Sequence, residues 1–180
     1  MDDRWRTSSQ AYGAFWKAVP LEPKVVAPEL ETSQEAEAAR RHARLERLLA
    51  AHGLAERPVA GDGNCQFRAL ADQLYGSEEH HDAIRAQVLE QLRTLPSRYQ
   101  GFVPGRFESY LAHMARDGAW GDHVTLQAAA DVLGVRIHVV SDFLEEAYIE
   151  VTPEQQKSSK VLKLCFWAEV HYNSLEELKR

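Results

Sequence analysis

The chain has 180 residues, 44% of them hydrophobic and 27% charged, a composition that fits one globular domain with a continuous core. A formal net charge of −6 argues against wrapping around nucleic acid, and no apolar run approaches the ~20 residues that span a bilayer. Only two cysteines occur, Cys65 and Cys165, so we expect free thiols, a reducing cytoplasmic or nuclear compartment, and a monomer without membrane contact.

The N-terminal region divides into two predicted segments. Residues 1–31 contain three prolines and four aromatic residues, which predicts an extended or partly ordered arm whose aromatics either dock on the domain or bind another molecule. Residues 32–54 form a predicted N-terminal helix, which begins at Thr32 or Ser33 and stops at Gly53. Its leucines form one apolar stripe, and its arginines form either a solvated face or a surface for an acidic partner.

Helical periodicity then predicts four helices, and strand-like patterns follow only near the C-terminus. The helices are expected at residues 66–75, 78–95, 105–117 and 123–133. The strands are expected at residues 135–139, 148–151 and 161–170, the last ending directly before His171. Helices followed by a late cluster of strands are typical of the α+β class.

Cys65 lies where a glycine-containing turn meets the start of an amphipathic helix. A thiol at that position faces the unpaired N–H groups and the positive dipole end of the helix, which predicts a lowered pKa and a reactive thiolate. Gly61 and Gly63 would let backbone N–H groups approach the oxyanion of a tetrahedral intermediate. A buried structural cysteine is the alternative that this placement alone leaves open.

His171 is the histidine best placed to serve as a base for this thiol. It follows directly on a strongly apolar run, at an edge where a sheet can present a side chain to a cleft. Asn173 lies two residues further on, and alternate residues of an extended chain point to the same side. We therefore predict that Asn173 accepts the Nδ1–H of His171 and fixes its tautomer.

Three segments of the chain resemble the OTU (ovarian tumour) family of deubiquitinating cysteine proteases, its plant-type members most closely. They are Gly61-Asp62-Gly63-Asn64-Cys65-Gln66-Phe67-Arg68, Trp120-Gly121-Asp122-His123-Val124-Thr125-Leu126 and Phe166-Trp167-Ala168-Glu169-Val170-His171-Tyr172-Asn173. The resemblance implies a papain-like fold of the OTU type, with a small central β-sheet flanked by helices. It places the catalytic domain at residues 55–180.

The same resemblance implies a substrate and a role for each site residue. Cys65 would attack the carbonyl carbon of the C-terminal glycine of ubiquitin or of a polyubiquitin chain, through a thioester intermediate. His171 would be the general base, and Asn173 would orient it. Asp62 would belong to the loop whose backbone N–H joins that of Cys65 in the oxyanion hole, while its side chain either takes part or only caps the turn. No metal or other cofactor is implied.

Several alternatives stay open at the level of sequence. Asn64 either holds the loop or is only the N-cap of the helix. Trp120 and Trp167 either wall a channel for the glycine pair of ubiquitin or belong to the core. Cys165, inside an apolar strand, is expected to be an inert buried thiol. Two other functions are conceivable: a catalytically inactive ubiquitin-binding module, and a cysteine hydrolase that acts on a different modifier or on a small ester.

Overall fold

A computed structural model describes residues 28–141, 148–167 and 171–178, with side chains from residue 36 onward. Residues Ala38–Arg180 form one compact unit, and the contacts described below lie within it. The predicted arm at residues 1–31 lies outside the described residues, apart from residues 28–31, which are helical. Among the helices of the described residues, none is long and apolar enough to cross a membrane.

The N-terminal helix, α1, spans Pro28–Ala51 and therefore begins earlier than the sequence predicted. The predicted start at Thr32 or Ser33 is wrong, because both residues lie inside the helix. Proline is well suited to the first helical position, since it has no N–H to leave unpaired there. Gly53 follows the end of the helix with a positive φ of 70°, in agreement with the predicted stop.

One face of α1 is buried and the other is exposed. Leu45 and Leu49 are almost fully buried, and Leu48 packs against them from a partly buried position. Arg40, Arg41 and Arg47 are exposed, as expected for a solvated helix face. The periodicity of the leucines therefore identified the buried face correctly.

Within the described residues, five further helices and two 3₁₀ turns follow. The helices are α2 (Cys65–Tyr75), α3 (His81–Thr94), α4 (Pro96–Tyr99), α5 (Phe107–Met114) and α6 (His123–Leu133), and the 3₁₀ turns are Glu78–His80 and Gln100–Phe102. Helix α6 matches its prediction because both ends carry strong signals: Asp122 and Thr125 form a capping box, and Gly134 is left-handed. Helix α5 is shorter than the predicted 105–117, and α4 was not predicted.

A mixed five-stranded sheet has the strand order β1-β5-β4-β2-β3. Its strands are β1 (Leu54–Arg57), β2 (Arg136–Ser141), β3 (Tyr148–Val151), β4 (Val161–Trp167) and β5 (His171–Glu177). Strands β2 and β4 pair in parallel, and the other neighbours pair antiparallel. The helices and this small sheet confirm the α+β class.

Two features of the sheet differ from the sequence prediction. The expected strand at 161–170 ends at Trp167, and His171 begins the next strand, paired with Trp167 across the antiparallel β4–β5 ladder. The apolar run therefore folds back on itself instead of ending at His171. Strand β1 was missed because its four residues show no alternation, and it is held by pairing with the distant β5.

Helix α2 connects directly to the strand that begins with His171. The side-chain amide of Gln73 donates to the hydroxyl of Ser174 at 2.7 Å and to the carbonyl of Leu175 at 2.6 Å. The backbone N–H of Lys163 in β4 donates to the Gln73 carbonyl oxygen at 2.9 Å. Because α2 begins at Cys65 and β5 begins at His171, these bonds fix the two elements that carry the candidate site.

The core lies between the sheet and helices α2, α3 and α6. Its largest fully buried side chains come from both layers and include Phe67, Leu70, Ile84, Leu92, Ile137 and Leu162. Each such side chain stabilises the fold by about 1.5–3 kcal/mol relative to an exposed position. The site described next therefore rests on a rigid, well-packed base.

Candidate active site

Cys65 is the first residue of α2, and the loop before it is held tightly on both sides. Gly63 has a φ of 85°, and a Cβ there would lie 2.1 Å from the carbonyl oxygen of Gly118, so only glycine fits. A Cβ on Gly61 would lie 3.7 Å from Cε1 and 3.9 Å from Nδ1 of His171. The loop that carries the nucleophile therefore faces the Nδ1 edge of the imidazole.

The Cys65 sulfur is buried, with 1% of the residue exposed. Burial raises the pKa of the Cys65 thiol, and hydrogen bonds from the backbone of Tyr172 and Gln66 and from the Trp120 indole oppose that rise only in part. The predicted lowering of the Cys65 pKa is therefore wrong. The prediction included the effect of the helix N-terminus, which lowers the pKa, but not the desolvation of the sulfur, which raises it. In this state the thiol stays protonated at neutral pH and needs a base.

The His171 ring is oriented by two oxygen atoms on its Nε2 side. Nε2 lies 3.0 Å from Oδ1 of Asn173 and 3.2 Å from the carbonyl oxygen of Val59. Both oxygens only accept hydrogen bonds, so Nε2 carries the proton and Nδ1 is left to accept one. The predicted contact between His171 and Asn173 is present, but it uses Nε2, so the predicted Nδ1–H bond is wrong.

Asp62 is tied to its own turn. Its carboxylate binds the Arg68 guanidinium, with a shortest N–O distance of 2.6 Å, and accepts the backbone N–H of Asn64 at 3.0 Å. The hydrogen bond from Arg68 holds the pKa of Asp62 well below its usual range. The negative charge of Asp62 also raises the pKa of Cys65, which disfavours a thiolate. These contacts fit the alternative in which the side chain caps the turn.

Asn64 is a buried connector between the nucleophile loop and two other segments. Asn64 occupies the N-cap position of α2, but its side chain makes no capping bond to the helix. Its Oδ1 accepts from Nη2 of Arg85 at 2.5 Å and from the backbone N–H of Gly118 at 3.0 Å. Its Nδ2 donates to Oδ1 of Asp117 at 3.0 Å. Asn64 therefore holds the loop in place.

Arg85 supports the nucleophile from behind and was not identified from the sequence. Its guanidinium is buried, donates to the carbonyl of Met114 at 3.0 Å, and lies 4.0 Å from the centre of the Phe67 ring. Burial lowers the pKa of Arg85, whereas the charges of Asp117, Asp62 and the Cys65 thiolate raise it. Its spacing from Val88 and Leu92, which puts it on the apolar stripe of α3, was the signal that could have found it.

The two tryptophans each adjoin one of the candidate catalytic residues. Trp120 packs 5.8 Å from the rings of both Phe166 and Tyr172, with its indole beside the Cys65 sulfur. The Trp167 ring lies 6.3 Å from the His171 ring. Both side chains are half-buried, so neither is purely a core residue.

The second of the three segments that carry the family resemblance contacts the first through Gln66. The Gln66 amide donates to the carbonyl of Asp122 at 3.0 Å, and the Thr125 hydroxyl donates to Oε1 of Gln66 at 2.8 Å. A Cβ on Gly121 would lie 2.3 Å from that Oε1, so glycine is required for this approach. Within the described residues, no group of three or more His, Cys, Asp or Glu side chains could hold a metal ion.

Known sequences match this chain over most of its length. A sequence model described as OTU-like cysteine protease matches residues 60–175. The chain is 54% identical over 134 residues to OVARIAN TUMOR DOMAIN-containing deubiquitinating enzyme 9 of Arabidopsis thaliana, covering 74% of this chain and 39% of that protein. It is 49% identical over 157 residues to enzyme 10 of the same series and organism, covering 87% of this chain and 43% of the relative. The chain thus spans less than half the length of these two relatives.

Solved structures with the same fold are more distant in sequence. The OTU domain of OTUD1 superposes with a TM-score of 0.71 at 21% identity, covering 80% of this chain and 99% of that one. An ovarian tumor domain in complex with ubiquitin superposes with a TM-score of 0.58 at 22% identity, covering 68% of this chain and 69% of the other. At these identities the likeness concerns the fold alone.

Proposed function

Because the chain belongs to the OTU-like cysteine protease family, we propose that it is a deubiquitinating enzyme, which hydrolyses isopeptide or peptide bonds at the C-terminal glycine of ubiquitin. One observation carries the proposal. Asn173 and Val59 hold the proton of His171 on Nε2, so that Nδ1 faces the loop of Cys65. The matched relatives are named as deubiquitinating enzymes, which points to ubiquitin as the substrate.

The reaction begins with proton transfer from Cys65 to Nδ1 of His171. The sulfur then attacks the carbonyl carbon of the terminal glycine and forms a tetrahedral intermediate. When the intermediate collapses, the carbon–nitrogen bond breaks, and His171 returns the proton to the leaving amine. Water, deprotonated by His171, then attacks the thioester, releases ubiquitin with a free carboxylate and restores the thiol.

Because the pKa of Cys65 is raised, His171 is needed as a general base for the thiol. A thiol that stays protonated in the free enzyme cannot attack until a base removes its proton, so the reaction depends on the imidazole as a general base. Asn173 maintains the tautomer that this step needs. The hydrogen bond from the Trp120 indole to the sulfur further favours the thiolate once it forms.

The oxyanion of the intermediate is stabilised by the start of α2. The first N–H groups of a helix have no partner within the helix, and here the first bonded one belongs to Arg68, which donates to the Asn64 carbonyl at 2.9 Å. In this proposal the N–H of Cys65, which lies before it, binds the oxyanion together with an N–H of the Asp62 loop. The side chain of Asp62 takes no part in this role.

The test is covalent labelling with ubiquitin that carries a C-terminal propargyl group. Wild-type protein should gain the mass of one ubiquitin, and Cys65→Ala should gain none, because the label reacts only with the nucleophilic thiol. Cys165→Ala is the matched control: Cys165 is fully buried in β4, and burial raises the pKa of its thiol. Labelling that depends on Cys165 and not on Cys65 would overturn the assignment.

The same experiment separates the two other functions. An inactive ubiquitin-binding module would bind ubiquitin without forming the adduct. A hydrolase for another modifier would react with the corresponding probe of that modifier and leave the ubiquitin probe untouched. A monomeric state and a reducing cytoplasmic or nuclear location stay predictions of the sequence; both described cysteines are free thiols, which suits such a compartment.

A further inference from the structure

Glu56, on strand β1, lies at the centre of a hydrogen-bond cluster behind the base. Its Oε2 accepts from Nδ2 of Asn173 at 2.8 Å and from the indole Nε1 of Trp167 at 3.2 Å. Its Oε1 pairs with Nε2 of His42 at 2.8 Å. The Cys165 thiol also hydrogen-bonds to this carboxylate, which raises the pKa of Cys165 further. Four donors thus meet one carboxylate that is 12% exposed.

The carboxylate decides which way the Asn173 amide points. A carboxylate only accepts hydrogen bonds, so the Asn173 atom that faces Glu56 must be the NH₂ group. The other amide atom receives the backbone N–H of Val59 at 3.1 Å and therefore must be the oxygen. A flipped amide would place its oxygen against the carboxylate and its NH₂ group against two other donors, so the flip is strongly disfavoured.

The orientation of Asn173, together with the Val59 carbonyl, in turn sets the tautomer of His171. Of the two amide atoms of Asn173, only the oxygen can accept the Nε2–H of the imidazole, at the observed distance of 3.0 Å, beside the Val59 carbonyl oxygen at 3.2 Å. If the amide flipped, its NH₂ group would favour the tautomer with a lone pair on Nε2 and a proton on Nδ1. That tautomer could not accept the Cys65 proton at Nδ1. A continuous chain of hydrogen bonds therefore runs from Glu56 through Asn173 to His171.

We propose that Glu56 is a positioning residue of the active site, which fixes the amide of Asn173 and through it the tautomer of His171, and that His42 of α1 holds Glu56 in place. The inference rests on the proposed function for its kinetic consequence. Both Glu56 and His42 precede residues 60–175, the segment matched by the family model. The N-terminal helix is thus part of the support of the active site.

His42 contributes contacts of two kinds to this support. Its Nε2 donates to Glu56, and its ring lies 3.7 Å from the ring of Trp167, with an interplanar angle of 40°. Trp167 also donates to Glu56, so the three side chains form a closed set. Because the hydrogen bonds of two partners converge on it, the carboxylate is held in one rotamer while it receives the Asn173 amide.

The kinetic test is a double-mutant cycle between Glu56 and Asn173. Asn173→Asp alone places two carboxylates at hydrogen-bond distance, and their repulsion should lower kcat by about 100-fold. Adding Glu56→Gln gives the new carboxylate an NH₂ donor, and should raise kcat by on the order of 10-fold over Asn173→Asp. In the wild-type background the same Glu56→Gln should lower kcat, by about threefold, because its amide can adopt either orientation.

The decisive result is that Glu56→Gln lowers kcat in the wild-type background and raises it in the Asn173→Asp background. Hydrolysis of a ubiquitin C-terminal coumarin amide gives kcat and KM, and thermal unfolding gives Tm for every variant. KM should change little, because Glu56 acts through His171 and not on the substrate. Glu176→Gln, an exposed neutralisation on the paired strand β5, is the control. An equal effect of Glu56→Gln in both backgrounds, or a change that only follows Tm, would overturn the proposal.

A second measurement is independent of substrate and so separates this inference from the proposed function. The nitrogen chemical shifts of the His171 ring report its tautomer directly. Wild-type protein should show mainly the Nε2–H form of His171. His42→Phe, which keeps the ring contact with Trp167, should show this form only in part. Glu56→Ala should show the mixture that is shifted furthest toward the Nδ1–H form. A tautomer that does not respond to Glu56→Ala contradicts the positioning role, even if ubiquitin labelling succeeds.

Discussion

The two halves of the candidate site are supported in different ways. Cys65 is held by a short loop packed against Gly118 and by the buried cation Arg85, through Asn64. His171 is held by a chain of hydrogen bonds that crosses from β5 to β1 and reaches the N-terminal helix. The nucleophile side depends on steric fit and a buried charge, and the base side depends on the orientation of polar groups.

This difference predicts that the two halves fail in different ways. A buried cation or a glycine without room for a Cβ belongs to the packing of the domain, so its loss should lower the free energy of unfolding. A change of hydrogen-bond orientation behind His171 leaves the packing intact and should lower the rate instead. A change on the nucleophile side that lowers the rate and leaves the free energy of unfolding untouched would contradict this difference.

Arg85→Met should have the largest effect on stability. It removes a donor to the Asn64 side chain and the donor to the Met114 carbonyl, and leaves both acceptors and Asp117 without their buried cation. We expect the free energy of unfolding to fall by about 4 kcal/mol, measured by urea denaturation. Arg93→Met, an exposed position on the same helix, should cost about 0.5 kcal/mol or less. Equal losses for the two variants would contradict a structural role for Arg85.

Gly63→Ala should lower the free energy of unfolding by somewhat less, roughly 3 kcal/mol. The alanine would have an unfavourable φ, and its Cβ would overlap with the carbonyl group of Gly118. Gly105→Ala isolates the first of these terms: its φ of 82° is almost the same, yet nothing lies within 4 Å of the added Cβ. We expect Gly105→Ala to cost about 1 kcal/mol. The difference between the two variants measures the steric contact, and its absence would show that the loop can move away from Gly118.

The sequence predicted the nucleophile side better than the base side for a physical reason. Cys65, its glycines and the helix that follows are contiguous, so one motif contained both the residue and its local geometry. The Nε2 contact of His171 and the role of Glu56 depend on the pairing of β1 with β5, which joins residues 117 positions apart. No local pattern in the four residues of β1 marks that pairing.

Among the helices and strands, too, features marked by neighbouring residues were predicted, and features that depend on distant contacts were not. Helix α6 was predicted to the residue because Asp122 and Gly134 supply a capping box and a left-handed stop within the helix sequence itself. The separation of β4 from β5 was missed because the sequence up to His171 was interpreted as one β-rich run, whereas the antiparallel register pairs Trp167 with His171. The pKa of Cys65 was predicted in the wrong direction because burial is a tertiary property that its neighbours in sequence do not reveal.

The pH dependence of Cys65 alkylation should show a smaller effect on the nucleophile side. Burial raises the pKa of this thiol, so its iodoacetamide reaction in the free protein should increase with pH through a midpoint above that of free cysteine. The midpoint, unlike the absolute rate, does not depend on how easily the reagent reaches the sulfur. Mass spectrometry of the Cys65 peptide gives the rate, with Cys165→Ala as background. A midpoint below that of free cysteine would mean that the helix terminus outweighs burial.

The smallest expected effect is that of Asp62→Asn. Arg68 holds the pKa of Asp62 low, so the ion pair stabilises the fold above the pKa of an unfolded aspartate, and this contribution declines as the pH falls below about 4. Because 40% of the Asp62 side chain is exposed, solvent screening limits the gain at pH 7 to about 0.5 kcal/mol. The difference in unfolding free energy between wild type and Asp62→Asn should therefore shrink on acidification.

The kinetics of Asp62→Asn decide the role of this carboxylate. The asparagine oxygen can still accept the backbone N–H of Asn64, which wild-type Oδ1 accepts at 3.0 Å, so the turn and its oxyanion N–H groups should persist. We expect kcat on a ubiquitin coumarin amide to change by less than about fivefold, since one exposed ion pair is worth at most ~1 kcal/mol. A loss of kcat by about 100-fold or more, on the order expected for a residue that orients the base, would instead place the Asp62 side chain in catalysis. The nucleophile side would then depend on the orientation of a polar group, as the base side does.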